Sequence, residues 1–289
     1  MIKKDFGGTF RKLREGKNLS ISSISDDNIS KSMISKFERN QSDISVSRFF
    51  HLLNKINVRP PEFEITLNEF YADGFQMLLS DVTAYSMEGN TRKLKALSDR
   101  ELGIYYENKN TINKLNHLMI EVMISMVENK ELPADKDFSY ITNYLFNCEY
   151  WSYYELVLYG NTMGKMDIEK VLIFSKHIPS KTLLMKDAGN LYAICINLIM
   201  NTISIFIENG YQNESRYFLV VLDQLDIEET MIFEKVLHKY YEGLHRIKFE
   251  ENSSSGKEML NESLSIFKIL DCQNLYDIFY SNYVEMLND

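Results

Sequence analysis

The sequence predicts an all-α protein, in which a small helix-turn-helix domain precedes a larger domain of helical repeats. Residues 19–39 have the spacing of two short helices joined by a polar turn. From about residue 64 onward, the strong apolar periodicities are helical and none sustains the alternation of a strand. A chain of 289 residues with 45% apolar side chains is also long and apolar enough to fold around a sizeable core.

The stretch from residue 19 to residue 39 reads LSISSISDDNISKSMISKFER. Its three central residues, 26–28, favour a turn, and Ser30 is a suitable N-cap for the second helix. Apolar side chains then recur at i, i+1 and i+4, which predicts one buried face. The other residues of this helix that we expect to meet DNA are Lys31, Ser32, Ser35, Lys36 and Arg39. Such side chains donate hydrogen bonds to phosphates and base edges, although an ordinary solvated helix face would look the same.

Helices on either side complete the predicted domain. Residues 5–17 carry an apolar stripe, and the basic residues Arg11 and Arg14 lie off it, where phosphate contacts are expected. Residues 46–57 form a further helix with Arg48 in its first turn, a second position suited to a phosphate.

Charge is unevenly distributed along the chain. Residues 1–61 hold twelve Lys or Arg against six Asp or Glu, a net charge of +6. Because the whole chain carries −9, residues 62–289 carry −15. This asymmetry indicates a basic nucleic-acid-binding module attached to an acidic body.

The N-terminal region resembles a known family. FRKLREGKNLSISSIS and SKSMISKFERNQSDISVSRFFHLLNKINVRPPEF are similar to the N-terminal domain of the Rgg-type regulators of Gram-positive bacteria, relatives of the phage-repressor (XRE) helix-turn-helix class. The resemblance implies a cytoplasmic homodimer that binds double-stranded promoter DNA. It also implies a quorum-sensing role, in which the C-terminal repeats bind a short signalling peptide. For such a regulator, RNA polymerase is a further expected partner.

The paired prolines of VRPPEFE predict a break between the two domains. We therefore expect a DNA-binding domain at residues 1–60, a linker at 61–66 and a domain for peptide binding and dimerisation at 67–289. In the last of these, turn signals at 160–164, 209–210 and 253–256 are about 48 and 44 residues apart, which favours tetratricopeptide-like hairpins with irregular repeats.

Stacked hairpins of this kind curl into a superhelix with a concave binding surface. Asparagine suits a bound peptide backbone because its amide both donates and accepts hydrogen bonds. The candidate peptide-binding residues are Asn143, Asn147, Asn190, Tyr192, Asn197 and Asn201. For any one of them, an ordinary polar position between packed helices is an equal alternative.

The apolar run 191–207 is too short and too polar for a membrane span, which predicts a buried helix of the repeat domain instead. The start of the chain has no apolar signal region, so we expect a cytoplasmic protein. The three cysteines are far apart and predict reduced thiols.

Other classes of protein remain open to test. No catalytic or nucleotide-binding motif is present, and Glu242 with His245 is a single E-x-x-H pair, too little for a metal site, so we expect neither an enzyme nor a cofactor nor a metal. One rival is an adaptor whose helix-turn-helix fold contacts protein. Another is a regulator that senses a small molecule other than a peptide.

Overall fold

The structure is a computed structural model that describes residues 5–68, 74–132, 138–184, 186, 190–250 and 253–288. Within these ranges the chain is built from helices, and extended pairing is limited to one isolated bridge between Asp26 and Ile29. The all-α prediction is therefore confirmed. The chain divides into two compact units, Met1–Ala84 and Tyr85–Asp289.

The first unit is a set of short helices around one small core. Their bounds are α1 (Phe6–Gly16), α2 (Ile21–Ile24), α3 (Lys31–Glu38), α4 (Val46–Lys55) and α5 (Pro60–Leu67), and α6 (Gly74–Met87) runs across the division between the units. The core side chains that are nearly inaccessible to solvent include Phe10, Ile24, Ile29, Ile34 and Leu52.

Helices α2 and α3 form the predicted helix-turn-helix. Ser20 caps α2, and Ser30 caps α3 by accepting a hydrogen bond from the backbone N–H of Met33 at 3.3 Å. The turn between them is closed by Asp26, whose side chain accepts from the backbone of Asn28 at 3.0 Å. These contacts fix where α3 starts and which face it turns outward.

The expected linker at 61–66 lies within a helix in the structure. Helix α5 runs from Pro60 to Leu67, with Glu62 accepting a hydrogen bond from the backbone N–H of Arg59 at 2.9 Å. Phe63 is buried and its ring packs edge-on against Phe49. The prolines that suggested a break instead start the helix, since the first helical position needs no N–H donor.

A buried ion pair joins α1 to α3. The guanidinium of Arg14 donates from Nε to Oε1 of Glu38 at 2.6 Å and from Nη2 to Oε2 at 2.8 Å. Arg14 also donates to the backbone carbonyl of Leu19, and the hydrogen bond with Glu38 raises the pKa of Arg14. The expectation that Arg14 contacts DNA is wrong, because its charged group is enclosed in the core and both carboxylate oxygens already engage it.

The second unit is a stack of longer helices. Their bounds are α7 (Thr91–Asn108), α8 (Thr111–Val127), α9 (Ser139–Asn147), α10 (Tyr153–Thr162), a short 3-10 turn (Met163–Lys165), α11 (Ile168–Ser175), α12 (Ile178–Leu184), α13 (Asn190–Glu208), α14 (Gln212–Gln224), α15 (Ile232–Phe249), α16 (Ser254–Ile269) and α17 (Gln273–Asn288). Antiparallel hairpins recur as α7 with α8, α13 with α14, and α15 with α16. The tetratricopeptide-like repeat prediction is thereby confirmed.

Helix α13 lies at the centre of this stack, because α10, α11, α12, α14 and α15 all pack against it. It is the one helix of the described chain that is long and apolar enough to cross a membrane, and more than half of that window is buried in protein. Burial of this kind is typical of a core helix, as predicted for residues 191–207.

One sequence signal in this unit has a different structural meaning from the one predicted. Gly256, expected in a turn, lies inside α16, where its backbone approaches Gly243 so closely that a Cβ at either glycine would come within 3 Å of the other's carbonyl oxygen.

The buried ion pair of Arg14 and Glu38 should stabilise both helices that it joins. Arg14→Ala should speed amide hydrogen exchange in α1 and α3 about a hundredfold, because it strands a buried Glu38 carboxylate. Hydrogen exchange of the full chain, followed by mass spectrometry, measures this for each helix separately.

Arg11→Ala is the matched control, since Arg11 lies on the same helix and pairs with Glu15 at 2.8 Å with both side chains half exposed. An exposed pair of this kind contributes little, so the exchange rates should hardly change. Equal effects of the two substitutions would contradict a structural role for Arg14.

Candidate functional site

The outer face of α3 carries basic groups that no carboxylate neutralises. Lys31, Lys36 and Arg39 are exposed and form no ion pair with the part of the chain that the structure describes. Ser30 and Ser32 are exposed as well, and Ser35 is half-buried. These six predicted residues therefore lie on one short helix, with donors directed to solvent from its start to its end.

Two further predicted arginines flank this face, and each is held by a contact with a neighbouring residue. Arg48 of α4 is exposed and donates from Nε to the carbonyl of Asn28 at 3.1 Å, which ties it to the turn before α3. Arg11 is exposed and paired with Glu15. Both are exposed to solvent, in contrast to the buried Arg14.

Side chains of α4 hold the turn before α3 in place through contacts with the carboxylate of Asp26. His51 and Lys55 of α4 contact the carboxylate of Asp26 at 2.7 and 3.0 Å. These hydrogen bonds, the one from His51 above all, hold the pKa of Asp26 well below its usual range. His51 is thus half-buried and has a defined partner.

The second unit has an open cavity at the start of α8. Its volume is about 580 Å³, and its walls are Thr111, Tyr140, Asn143, Tyr144, Asn147 and Cys148. The side chain of Asn147 donates to the carbonyl of Asn143 at 2.8 Å. The Nζ of Lys114 lies 3.7 Å from the centre of the Tyr140 ring. Two of the predicted asparagines are therefore together in what we call the α9 cavity.

A second depression, which we call the inner groove, has a volume of about 430 Å³. Residues from α8, α10, α11, α13, α15 and α17 meet here with the turn after α10. Its lining residues are Met126, Gly160, Met163, Gly164, Met166, Ile168, Asn201, Ser204, Ile205, Glu208, Asn209, Tyr241 and Asn282. Methionine and isoleucine supply an adaptable apolar surface, and amides and hydroxyls supply hydrogen bonds.

One polar stripe of α13 faces this groove. Asn201, Ser204 and Glu208 follow one another at helical spacing, and Ser204 donates to Oε1 of Glu208 at 2.7 Å. Desolvation of its carboxylate raises the pKa of Glu208, although the residue as a whole is exposed, and burial raises the pKa of Tyr241 to about 12. A largely apolar helix thus presents a row of hydrogen-bonding groups to the groove.

Not every predicted peptide-binding residue reaches a cavity. Asn197 is half-buried one turn before Asn201, and Asn190 is exposed at the start of α13 but lines neither depression. The prediction that Tyr192 contacts the peptide is wrong. Its ring is buried and its hydroxyl donates to the carbonyl of Asp226 at 3.0 Å, so the side chain serves packing.

Comparison with known proteins identifies the relatives of this fold. The family model described as HTH-type transcriptional regulator Rgg, C-terminal domain, matches residues 100–281, more than half of the chain. The SHP pheromone receptor Rgg2 of Streptococcus dysgalactiae is 30% identical over 97% of this chain and 99% of its own, with a TM-score of 0.78. This chain belongs to the Rgg family.

Two other solved structures share the fold of this Rgg protein at lower identity. A transcriptional regulator from Listeria monocytogenes is 19% identical, with a TM-score of 0.83 and coverage of 98% of this chain and 97% of its own. The PrgX/cCF10 complex is 15% identical, with a TM-score of 0.70 and coverage of 97% and 99%. They support the all-helical architecture alone.

The sequence of this Rgg chain had not pointed to Ser204, Glu208, Tyr241 or Asn282. The first two could have been found, because they continue the stripe of Asn201 at i+3 and i+7. The other two belong to α15 and α17, and no local pattern relates those helices to α13.

Proposed function

We propose that this protein is a DNA-binding transcription regulator whose activity is controlled by a short signalling peptide. The observation that carries the proposal is the combination, in one Rgg-family chain, of an unneutralised basic helix and an amide-lined groove. The first suits a polyanion and the second suits a peptide backbone.

The DNA-binding part of the proposal assigns α3 to the major groove. Its start presents Lys31 and Ser32, where a recognition helix places residues against base edges, while Lys36 and Arg39 follow further along. Arg11 and Arg48 would reach phosphates. The proposed DNA-binding domain is residues 1–60, extended by α5 because Phe63 completes its core.

The peptide part of the proposal assigns the inner groove to a short apolar peptide. Asn201 would pair with its backbone, and Met126, Met163 and Met166 would take its side chains. Asn197, half-buried one turn earlier on α13, lies outside the groove lining and would add a second backbone contact where the peptide extends beyond the groove. Asn143 and Asn147 would extend the site if the peptide reaches the α9 cavity. The relative Rgg2 supports this assignment, since it is described as a pheromone receptor.

Regulation would follow from linkage between the two sites. We propose a cytoplasmic homodimer in which residues 67–289 carry dimerisation and peptide binding, and which acts with RNA polymerase at the promoter. A two-fold dimer would read inverted half-sites. The peptide would shift DNA binding by as much as its affinity differs between two arrangements of the dimer.

Lys36→Ala combined with Arg39→Ala should weaken binding to promoter DNA and reduce the slope of log K against log salt by about two, because two phosphate or base contacts are lost. Fluorescence polarisation of duplex DNA from the region beside the protein's own gene, at several salt concentrations, measures both quantities.

The matched control is Lys170→Ala combined with Lys176→Ala, which removes the same charge from α11 and the residue that follows it. Its DNA affinity should equal that of the unaltered protein. Salt-independent or absent DNA binding would instead favour the adaptor, whose contacts are with protein.

Asn197→Ala combined with Asn201→Ala should weaken peptide binding about tenfold, because two backbone hydrogen bonds are lost, while DNA binding without peptide persists. Calorimetric titration with synthetic peptides encoded near the gene measures the first effect. Asn190→Ala is the control on the same helix and should leave the affinity unchanged. If both variants bind peptide equally well, the groove assignment is wrong.

A further inference from the structure

The inner groove has one charged group among its described lining residues, the carboxylate of Glu208. All its other polar groups are neutral amides and hydroxyls. A ligand in this groove therefore meets negative charge at a single defined position, at the end of the polar stripe of α13.

The carboxylate of Glu208 is only partly satisfied. Oε1 accepts a hydrogen bond from Ser204 at 2.7 Å, whereas Oε2 accepts none from the part of the chain that the structure describes. Lys248 and Glu285 both act on this carboxylate through space, with opposite signs. The Nζ of Lys248 donates to the backbone carbonyl of Glu208 at 3.4 Å and not to Oε2, so a donor for Oε2 is still lacking among the described residues.

The surroundings of Glu208 also favour positive charge. Glu208 is the last residue of α13, and the carbonyl end of a helix attracts cations. Asn209, Tyr241 and Asn282 line the same end of the groove and bring oxygen acceptors. An ammonium or guanidinium has several N–H donors and no acceptor, so it matches this set of oxygens.

We infer that the peptide bound in the inner groove presents a cationic group to Glu208, either its amino terminus or a lysine or arginine side chain. This rests on the proposed function of the groove and adds its charge selectivity. A peptide with an acidic residue at that position would be disfavoured, because it would face the carboxylates of Glu208 and Glu285 while Lys248 is already engaged by Glu208.

The test uses the full-length protein and four pools of synthetic octapeptides built from Ile, Leu, Val, Phe and Gly. Each peptide carries fluorescein on a C-terminal cysteine. The first pool has a free amino terminus and the second is acetylated. The third and fourth are acetylated and begin with lysine or with glutamate, respectively. Affinity is measured by fluorescence polarisation.

The first or the third pool should bind about tenfold or more tightly than the second, as expected for a charge-assisted hydrogen bond. A preference for the first pool identifies the amino terminus as the cation, and a preference for the third identifies a side chain. The fourth pool should bind most weakly. Glu208→Gln should abolish these differences, and Glu208→Lys should make the fourth pool the preferred one.

Glu258→Gln on α16 is the control, because Glu258 is exposed and lies outside the groove. Its pool preferences should match those of the unaltered protein. If peptides bind but Glu208→Gln leaves the differences between pools intact, the charge assignment is overturned and the peptide groove stands. If no pool binds the unaltered protein, peptide binding in this groove is overturned as well.

Discussion

The packing of five helices against α13 is the feature on which the repeat unit depends. Five helices pack against it, so most of its surface must be apolar, and residues such as Ile199 and Phe206 are fully buried. Only the side that faces the inner groove is free of this demand. Polar residues are tolerated there because solvent or a ligand satisfies them, and the same helix thus supplies both the core and the polar face of the groove.

The first unit, which carries the basic helix α3, also depends on a few contacts between its helices. A core of a few short helices has little apolar surface to bury, and its helices are held in register by polar contacts. The bidentate pair of Arg14 and Glu38 joins α1 to α3, and Asp26 joins the turn to α4. With its position fixed in this way, α3 presents Lys36 and Arg39 outward on a rigid element.

Sequence periodicity was enough for the class of fold, the helix-turn-helix and the buried character of α13, because each depends on local spacing. It failed where a residue's role depends on a distant partner. The position of Arg14 off the apolar stripe predicted a solvent-facing side chain, but its partner Glu38 lies on another helix and encloses it; Pro60 suggested a break although it starts α5. Only part of the inner groove could be predicted from the sequence, since Tyr241 comes from a helix that no local pattern relates to α13.

In the function that we propose, one chain couples a peptide site to a DNA site. This coupling can be measured by titrating a groove-binding peptide into the full-length protein, first free and then saturated with promoter DNA. We expect DNA to change the peptide affinity, and peptide to change the DNA affinity by the same factor, as linkage requires. Identical peptide affinity with and without DNA would contradict it.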